Sequence, residues 1–461
     1  MIADVQFVFL WTDILIYLLV ISISSFIWHT LKHEHLKAPW RLVFRRRLGM
    51  AAFLILMSYV GVGLLDSVHY KKGDDPEILS FLDDVVGGLK TREEKTYSAP
   101  FATHQFSKET IVKKDGTKVR DFPRLKYGGA HLENTQSDKA NDIFQRVFQA
   151  VIITLLVWTL LIAVLIVWLS RHKQLSWKAT LVRLWRGEDE SLPWKVILLT
   201  VGLLMLLLIL ILQLSPFYHI LGTDKVGGDV LYQSIKSIRT GLVIGTLTTL
   251  FMLPFAVILG IMAGYFRGWI DDVIQYLYTT LSSIPGVLLI AAAVLMLQVY
   301  MSNHPEQFGD VIRRADARLL FLCMILGVTN WTGLCRLLRG EAMKISQVEY
   351  IQASHAFGTR HARVISRHIL PNVMHIVLIS VVLDFSGLVL AEAVLSYVGV
   401  GVDPTTNSWG NMINSARLEM AREPMVWWSL IAAFSFMFVL VLAANLFADA
   451  VRDAFDPRLQ R

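Results

Sequence analysis

Nine apolar runs recur along the chain, near residues 7–28, 48–66, 148–170, 194–214, 238–264, 273–300, 318–338, 373–397 and 428–448. Each is close to or beyond the ~20 residues that cross a hydrocarbon core as a helix. Lipid offers no partners for an open backbone, so such segments are helices. The pattern predicts an all-α polytopic membrane protein with about nine transmembrane helices. Residues 67–147 interrupt it as a long polar insert. Within the insert Glu109–Lys114 reads as a strand and Asp115-Gly116 as the turn after it, so a hairpin is expected there and the insert has mixed or β character.

Charge sorts the spans by side. Residues 29–47 carry Lys32, Lys37, Arg41, Arg45, Arg46 and Arg47, and residues 171–195 carry Arg171, Lys173, Lys178, Arg183, Arg186 and Lys195. The segment after Arg339 is basic too. Cytoplasmic loops collect Lys and Arg, and nine spans satisfy all three segments with the N-terminus outside, the C-terminus cytoplasmic and the insert 67–147 extracytoplasmic. Met1–Gln6 then reads as a polar exported end. The first run is too long for a cleavable signal peptide and no base precedes it. Charged residues are only 18% of the chain and hydrophobic ones 54%, and the net charge is +7. Because the bases sit beside spans, they mark orientation rather than nucleic acid. Cys323 and Cys335 share one run, ~18 Å apart on a helix, too far to bond. Arg336 and Arg339 end that run and are expected to snorkel.

The segment 339–372 has its own pattern. Tyr350, Ala353 and Phe357 share a helical face. Gly358 permits a turn, and a second helix follows with Ala362, Ile365 and Ile369 on one face and Arg360, Arg363 and Arg367 elsewhere. Pro371 closes that helix and opens the next span. Two short helices about a glycine make a compact knob, although amphipathicity alone favours a hairpin lying on the anionic inner leaflet; the spacing to Gly358 and Leu370-Pro371 reverses that preference.

The residues here read Gln352-Ala353-Ser354, Gly358, His368 and Leu370-Pro371. Tyr350–Asn372 resembles the cytoplasmic coupling loop of ABC importer permeases, with the pattern Glu-Ala-Ala, three residues, Gly, nine residues, Ile, one residue, Leu-Pro. Gln352, Ser354 and His368 depart from it. Leu221–Val230 resembles an outer segment of the same family and contributes Gly222, Thr223, Asp224 and Asp229, with Gly228 where an Arg is usual. Leu390–Val402, Ser408–Met412 and the ending Arg452–Leu459 are similar as well. With Leu370, Pro371 and Asn372 these form the structural signature of the C-type permease of the dipeptide, oligopeptide and nickel branch, a binding-protein-dependent inner-membrane component. The resemblance spans about residues 194–461.

The resemblance implies a type I permease core of six spans in residues 194–461, with the loop 339–372 facing the cytoplasm. Residues 1–193 are then an N-terminal extension with three extra spans. The span 194–214 is favoured over 48–66 as the first of the core. It implies that Tyr350, Gln352, Ala353, Ser354, Ala356, Phe357, Gly358 and Arg363 meet an ATPase subunit, with Gln352 hydrogen-bonding where the family uses an acid. The implied partners are a second, B-type permease, two ATPase subunits or domains that hold ATP and Mg, and an extracytoplasmic solute-binding protein. The implied setting is the bacterial inner membrane and the implied cargo a di- or oligopeptide. Nickel chelates and antimicrobial peptides stay open within the branch.

Two acids fall inside the span 373–397. Asp384 and Glu392 lie about 80° apart on a helix, and ionisable groups in hydrocarbon are costly and often functional. Both are candidates for the translocation path; Asp384 is open also to pairing with a polar group on the partner permease, and Glu392 to bracing the neighbouring spans and loops. A proton-coupled secondary transporter, the reading from another class, would need these two as its relay. No glycine is followed by lysine, so the phosphate-binding loop of an ATPase is absent and no catalytic residue, cofactor or metal site is expected in this chain. His29, His33 and His35 read as membrane-edge residues.

Overall fold

The computed structural model describes residues 5–73, 78–112, 118–135, 137–174, 176–186, 192–306 and 308–455. Among them nine helices are long and apolar enough to cross a membrane. In chain order the helices are α1 (Trp11–Lys32), α2 (Glu34–Arg45), α3 (Arg47–Asp66), α4 (Phe81–Lys90), α5 (Asp138–Lys173), α6 (Trp177–Arg186), α7 (Trp194–Leu214), α8 (Val230–Phe266), α9 (Trp269–Ser283), α10 (Gly286–Asn303), α11 (Val311–Ile345), α12 (Glu349–Ala356), α13 (His361–Val364), α14 (Leu370–Tyr397), α15 (Trp409–Glu419) and α16 (Trp428–Phe455). The expected single span 273–300 is two helices, α9 and α10. Pro285 forces the break: the residue before a proline is driven out of the helical region, and Ile284 sits at φ −87°, ψ 130°.

The insert holds short strands, as its pattern suggests. β4 (Glu109–Val112) and β5 (Lys118–Asp121) form the hairpin, with Glu109 opposite Asp121 and Val112 opposite Lys118. Its turn, Asp115-Gly116, lies outside the described residues, and so does the end of the chain from residue 456. β1 (Val5–Val8) pairs antiparallel with β2 (His69–Lys72), which pairs with β3 (Leu79–Ser80). A four-residue strand this close to a terminus has too little alternation to be read from sequence.

The chain divides into two compact units, each drawing on residues from both sides of position 193. The first comprises residues 1–8, 40–239 and 407–443. In it α7 packs on α5, where Trp158 Nε1 donates to the Leu198 carbonyl at 3.0 Å. Tyr59 of α3 donates to the Phe436 carbonyl of α16 at 2.9 Å, and its ring meets Trp409. Lys236 is shared by Asp66 at 2.6 Å and Asp83 at 2.9 Å.

The second unit comprises residues 9–39, 240–406 and 444–461. Its core joins α8, α11, the segment 349–369 and α14 through Ala256, Ala263, Leu338, Ala342, Ile351, Val364, Ile369 and Val373, all fully buried. Small residues let the backbones close up: a Cβ on Gly264 of α8 would fall 2.4 Å from the Arg339 carbonyl of α11. The start of α1 lacks a cap of its own. Asp316 of α11 supplies one, accepting from the Trp11 and Thr12 backbone N–H groups at 2.9 and 3.3 Å and satisfying donors that a helix start leaves open.

Candidate functional site

The knob at 349–372 is mounted rigidly and points its candidate residues outward. α12 buries Ile351 completely, and α13 with the turn after it buries Val364 and Ile369. The expected buried face of Ala362, Ile365 and Ile369 is therefore corrected: Ala362 is exposed. The reason is a π turn at Ile365–Ile369. Its wider winding puts residues five apart on one side, which aligns Val364 with Ile369. Nor does Pro371 close this helix. The backbone runs on from α13 through the π turn into α14, and Leu370 N–H reaches back to the Ile365 carbonyl. Pro371 sits one residue into α14, directly after the π turn.

Tyr350, Gln352, Ala353, Ala356, Phe357, Gly358 and Arg363 are exposed and Ser354 is half-buried. Phe357 at the tip is 89% exposed. Gly358 has φ +74° with open space where a Cβ would stand, so backbone conformation rather than crowding selects glycine there. Arg360, Arg363 and Arg367 are exposed around the tip, giving the knob a basic rim. Asn372 ties the two limbs, donating to Tyr350 Oη at 3.1 Å and to the His368 carbonyl at 2.7 Å. Leu370-Pro371-Asn372 is thus the hinge end of the knob.

Sequence reasoning missed the support behind it. The Tyr265 hydroxyl at the end of α8 is 2.8 Å from His355 Nε2 and 2.8 Å from His361 Nδ1, one histidine on each limb. Arg339 holds Asp271 of α9 through two hydrogen bonds of 2.6 and 2.7 Å, and Arg336 reaches Ser282 at 3.2 Å. A lone Tyr and two His in separate segments carry no periodic signal. The Asp271 pairing was hidden because the 273–300 run was read as one span.

The residues Gly222, Thr223, Asp224 and Asp229 fold a tight turn before α8. Asp224 accepts from Val226 and Gly228 N–H groups at 3.0 and 2.8 Å. Asp229 caps α8 through Leu231 N–H at 2.9 Å. The turn is also the seat of the insert. Ser98 N–H donates to Thr223 Oγ1 at 2.6 Å and Trp428 Nε1 to the Thr223 carbonyl at 2.9 Å. Gly227, at φ +83°, must be glycine because a Cβ would fall 1.8 Å from the Glu94 carbonyl. Under this contact lies a buried charge cluster. His219 Nδ1 is 2.7 Å from Asp229 Oδ2, and its Nε2 is 3.5 Å from Glu94 Oε1. Glu94 accepts from the N–H groups of Lys126, Tyr127 and Gly128 at 2.8, 2.7 and 3.2 Å. Burial opposes the charge on His219, and the two carboxylates outweigh it and hold the imidazolium up to about 9. Burial likewise opposes the charge on Glu94. His219 and the three backbone donors outweigh it and hold the carboxyl down to about 2.

The two intramembrane acids differ. Glu392 is buried and accepts from Ser396 at 2.7 Å. Asp384 is half-buried at mid-helix, and no described residue is hydrogen-bonded or ion-paired to it. Among the described residues no group of three or more His, Cys, Asp or Glu could hold a metal.

Comparison with known proteins adds the lineage. Residues 256–461 match the family described as binding-protein-dependent transport system inner membrane component. The chain is 31% identical over 243 residues to the dipeptide transport system permease protein DppC of Bacillus subtilis, covering 53% of this chain and 70% of that one. It is 29% identical over 244 residues to the glutathione transport system permease protein GsiD of Pectobacterium atrosepticum, covering 52% and 73%. It is 29% identical over 247 residues to the oligopeptide transport system permease protein OppC of Mycobacterium tuberculosis, covering 54% and 78%. Among solved structures, the inward-facing MetNI methionine ABC transporter is similar at a TM-score of 0.37 and 14% identity, over 49% of this chain and 96% of that chain. The chain therefore belongs to the family of binding-protein-dependent transport system inner membrane components, the membrane permease subunits of ABC importers.

Proposed function

We propose that this chain is one membrane-embedded half of the pore of an ATP-driven importer in the bacterial inner membrane, and that its cargo is a di- or oligopeptide. The observation that carries the coupling role is Phe357. With Phe357 89% exposed and Tyr350, Ala353 and Ala356 also exposed on a mount whose roots are fully buried, the knob offers a mixed aromatic and basic docking surface. An ATPase subunit gripping Tyr350, Gln352, Ala353, Ser354, Ala356, Phe357, Gly358 and Arg363 would move the knob as a rigid body. The spans follow when the grip differs between the two nucleotide states. ATP and Mg belong to the ATPase partners. The cargo follows from the names of the relatives, which are dipeptide, glutathione and oligopeptide permeases.

The working assembly contains this chain, a second permease of the B type, two ATPase subunits or domains and an extracytoplasmic solute-binding protein. Residues 194–461 serve as the permease core and 1–193 as an extension. The N-terminus and the insert 67–147 lie outside, and the C-terminus and the knob lie in the cytoplasm. Asp384 and Glu392 belong to the translocation path or its bracing. The test is purification of the tagged chain from its native membranes, with identification of what accompanies it and of how uptake is energised. Two Walker-motif ATPases and uptake that stops on ATP depletion are expected. Uptake that persists without ATP and collapses with the proton gradient would replace this reading by a proton-coupled carrier.

A further inference from the structure

Asp384 is the mid-span acid for which no described residue supplies a counterpart. It lies midway along α14. The other face of the helix fixes where it points. Phe385 packs so closely on α8 that a Cβ at Gly245 would fall 2.4 Å from its ring. Ser386 is buried and donates to Asn445 Oδ1 at 2.7 Å, and Leu388 and Val389 are buried. The opposite stripe, Leu383, Gly387, Leu390, Val394 and Tyr397, is exposed. Its spacing of four, three, four and three residues is one continuous helix face, and Asp384 stands at its edge.

Three other acids of the same unit have partners of their own. Glu392 accepts from Ser396, Asp316 caps α1, and Asp271 holds Arg339. A carboxylate in contact with lipid at mid-depth is expensive, and such groups face water or a partner. The exposed face beside Asp384 is on that ground better suited to a water-filled path or a second membrane subunit than to lipid, and a cation from either would pair with the acid.

We infer that Asp384 is a cation-recognition site on the exposed face of α14, taking the ammonium group of a transported solute as it passes. The same chemistry has a second source, a basic side chain on the other membrane subunit. The inference rests on the reading of this chain as a peptide permease for the identity of the solute, though not for the existence of the site.

The test has one arm that needs no cargo. Gly387, one turn from Asp384 and with open space at its Cβ, is changed to Cys in the full complex. Its reaction rates with a cationic and an anionic methanethiosulfonate are compared, with the chain lacking that cysteine as control. A water-filled path with an ionised Asp384 favours the cationic reagent. Asp384→Asn is expected to lower that preference about tenfold, and Asp384→Glu to keep it. The second arm measures uptake of trialanine and of N-acetyl-trialanine. Asp384→Asn is expected to raise KM for trialanine about tenfold with kcat held, as loss of uniform binding does, and to leave the acetylated peptide unchanged. If the wild-type complex carries neither peptide, the cargo reading fails while the reagent preference still judges Asp384. A cysteine at 387 that reacts with neither reagent, together with loss of the second permease from purified Asp384→Asn complexes, assigns the cation to that subunit. Equal reagent preference in wild type and Asp384→Asn, or an unreactive cysteine with intact assembly, overturns the site.

Discussion

Glu94 and His219 meet at 3.5 Å, both almost wholly buried, and the contact ties the insert to the segment leading into α8. Asp229 completes the cluster at 2.7 Å from the other ring nitrogen. Removing one partner of a buried ionic group is destabilising by about 3 kcal/mol or more. Glu94→Ala also strands the N–H groups of Lys126, Tyr127 and Gly128. Hydrogen exchange at residues 126–128 is expected to accelerate by at least about tenfold, while α8 to α14 stay protected. The pH dependence has a definite sign. His219 is raised from 6.5 to about 9, so its contribution is complete below about 6.5 and is lost as pH rises through about 9. Glu94 is lowered from 4.5 to about 2, so its contribution is complete above about 4.5 and is lost as pH falls through about 2. Protection of the insert should be greatest between about 4.5 and 6.5 and should decline toward pH 9. A flat profile across that range would show that the cluster does not hold the insert.

Gly358 offers a separation of backbone from packing. Its φ of +74° disfavours side chains, yet nothing stands within 4 Å of the Cβ position. Gly358→Ala should cost about 1 kcal/mol locally. Gly358→Asn should cost less, because Asn tolerates the left-handed region. Gly358→Pro cannot adopt that φ at all. Solute moved per ATP hydrolysed should fall in the order Asn, Ala, Pro, with the membrane helices still inserted in all three. Full coupling in the proline variant would remove the knob from the transport cycle.

Tyr265 is expected to carry part of that coupling. Its single hydroxyl proton serves one histidine, and its oxygen accepts from the other, so one residue of α8 holds both limbs of the knob. Tyr265→Phe deletes both bonds at a net cost of about 1 kcal/mol each while keeping the ring that stacks on His355. Basal ATP hydrolysis of the complex should survive, and the ratio of uptake to hydrolysis should drop. An unchanged ratio would mean that α14 alone transmits the motion.

The membrane helices were legible because lipid enforces long apolar runs, and the knob because Gly358 and Leu370-Pro371 stand at a recognisable spacing. The register of the second limb was not legible. A π turn changes the residue spacing from the 3.6 that a helical reading assumes, so Val364 was passed over and Ala362 chosen. The break at Ile284-Pro285 was lost inside a run whose hydropathy is continuous. The partners of Glu94, Tyr265 and Arg339 are 125, 90 or 96, and 68 residues away, and pairings of that range leave no trace in local pattern.

Sidedness of the insert can be read by labelling. The turn at Gly116 lies outside the described residues, so Arg120 on β5, exposed and at the edge of a two-stranded hairpin, is the better position. The native Cys323 and Cys335 are buried and give little background. Arg120→Cys should react with a membrane-impermeant maleimide in intact spheroplasts. Labelling only after lysis would reverse the topology of the chain.

Residues 1–193 put a last question to experiment. If they are a detachable extension, deletion of residues 1–190 leaves a complex that still assembles. Side-chain contacts argue for the opposite outcome. Asp66 is 2.6 Å from Lys236, and Asp83 shares the same ammonium at 2.9 Å. Removing both leaves a largely buried lysine unpaired, at a cost of about 3–5 kcal/mol. The deletion also strips Trp11 and Thr12 from Asp316, and Tyr59 from the Phe436 carbonyl. The truncated chain is therefore expected to be degraded or to lose its partners. The deletion combined with Lys236→Met should recover part of the assembly, because it removes the lysine left without its two carboxylates. Recovery would locate the defect in those two contacts. Full assembly of the simple truncation would establish residues 1–193 as dispensable.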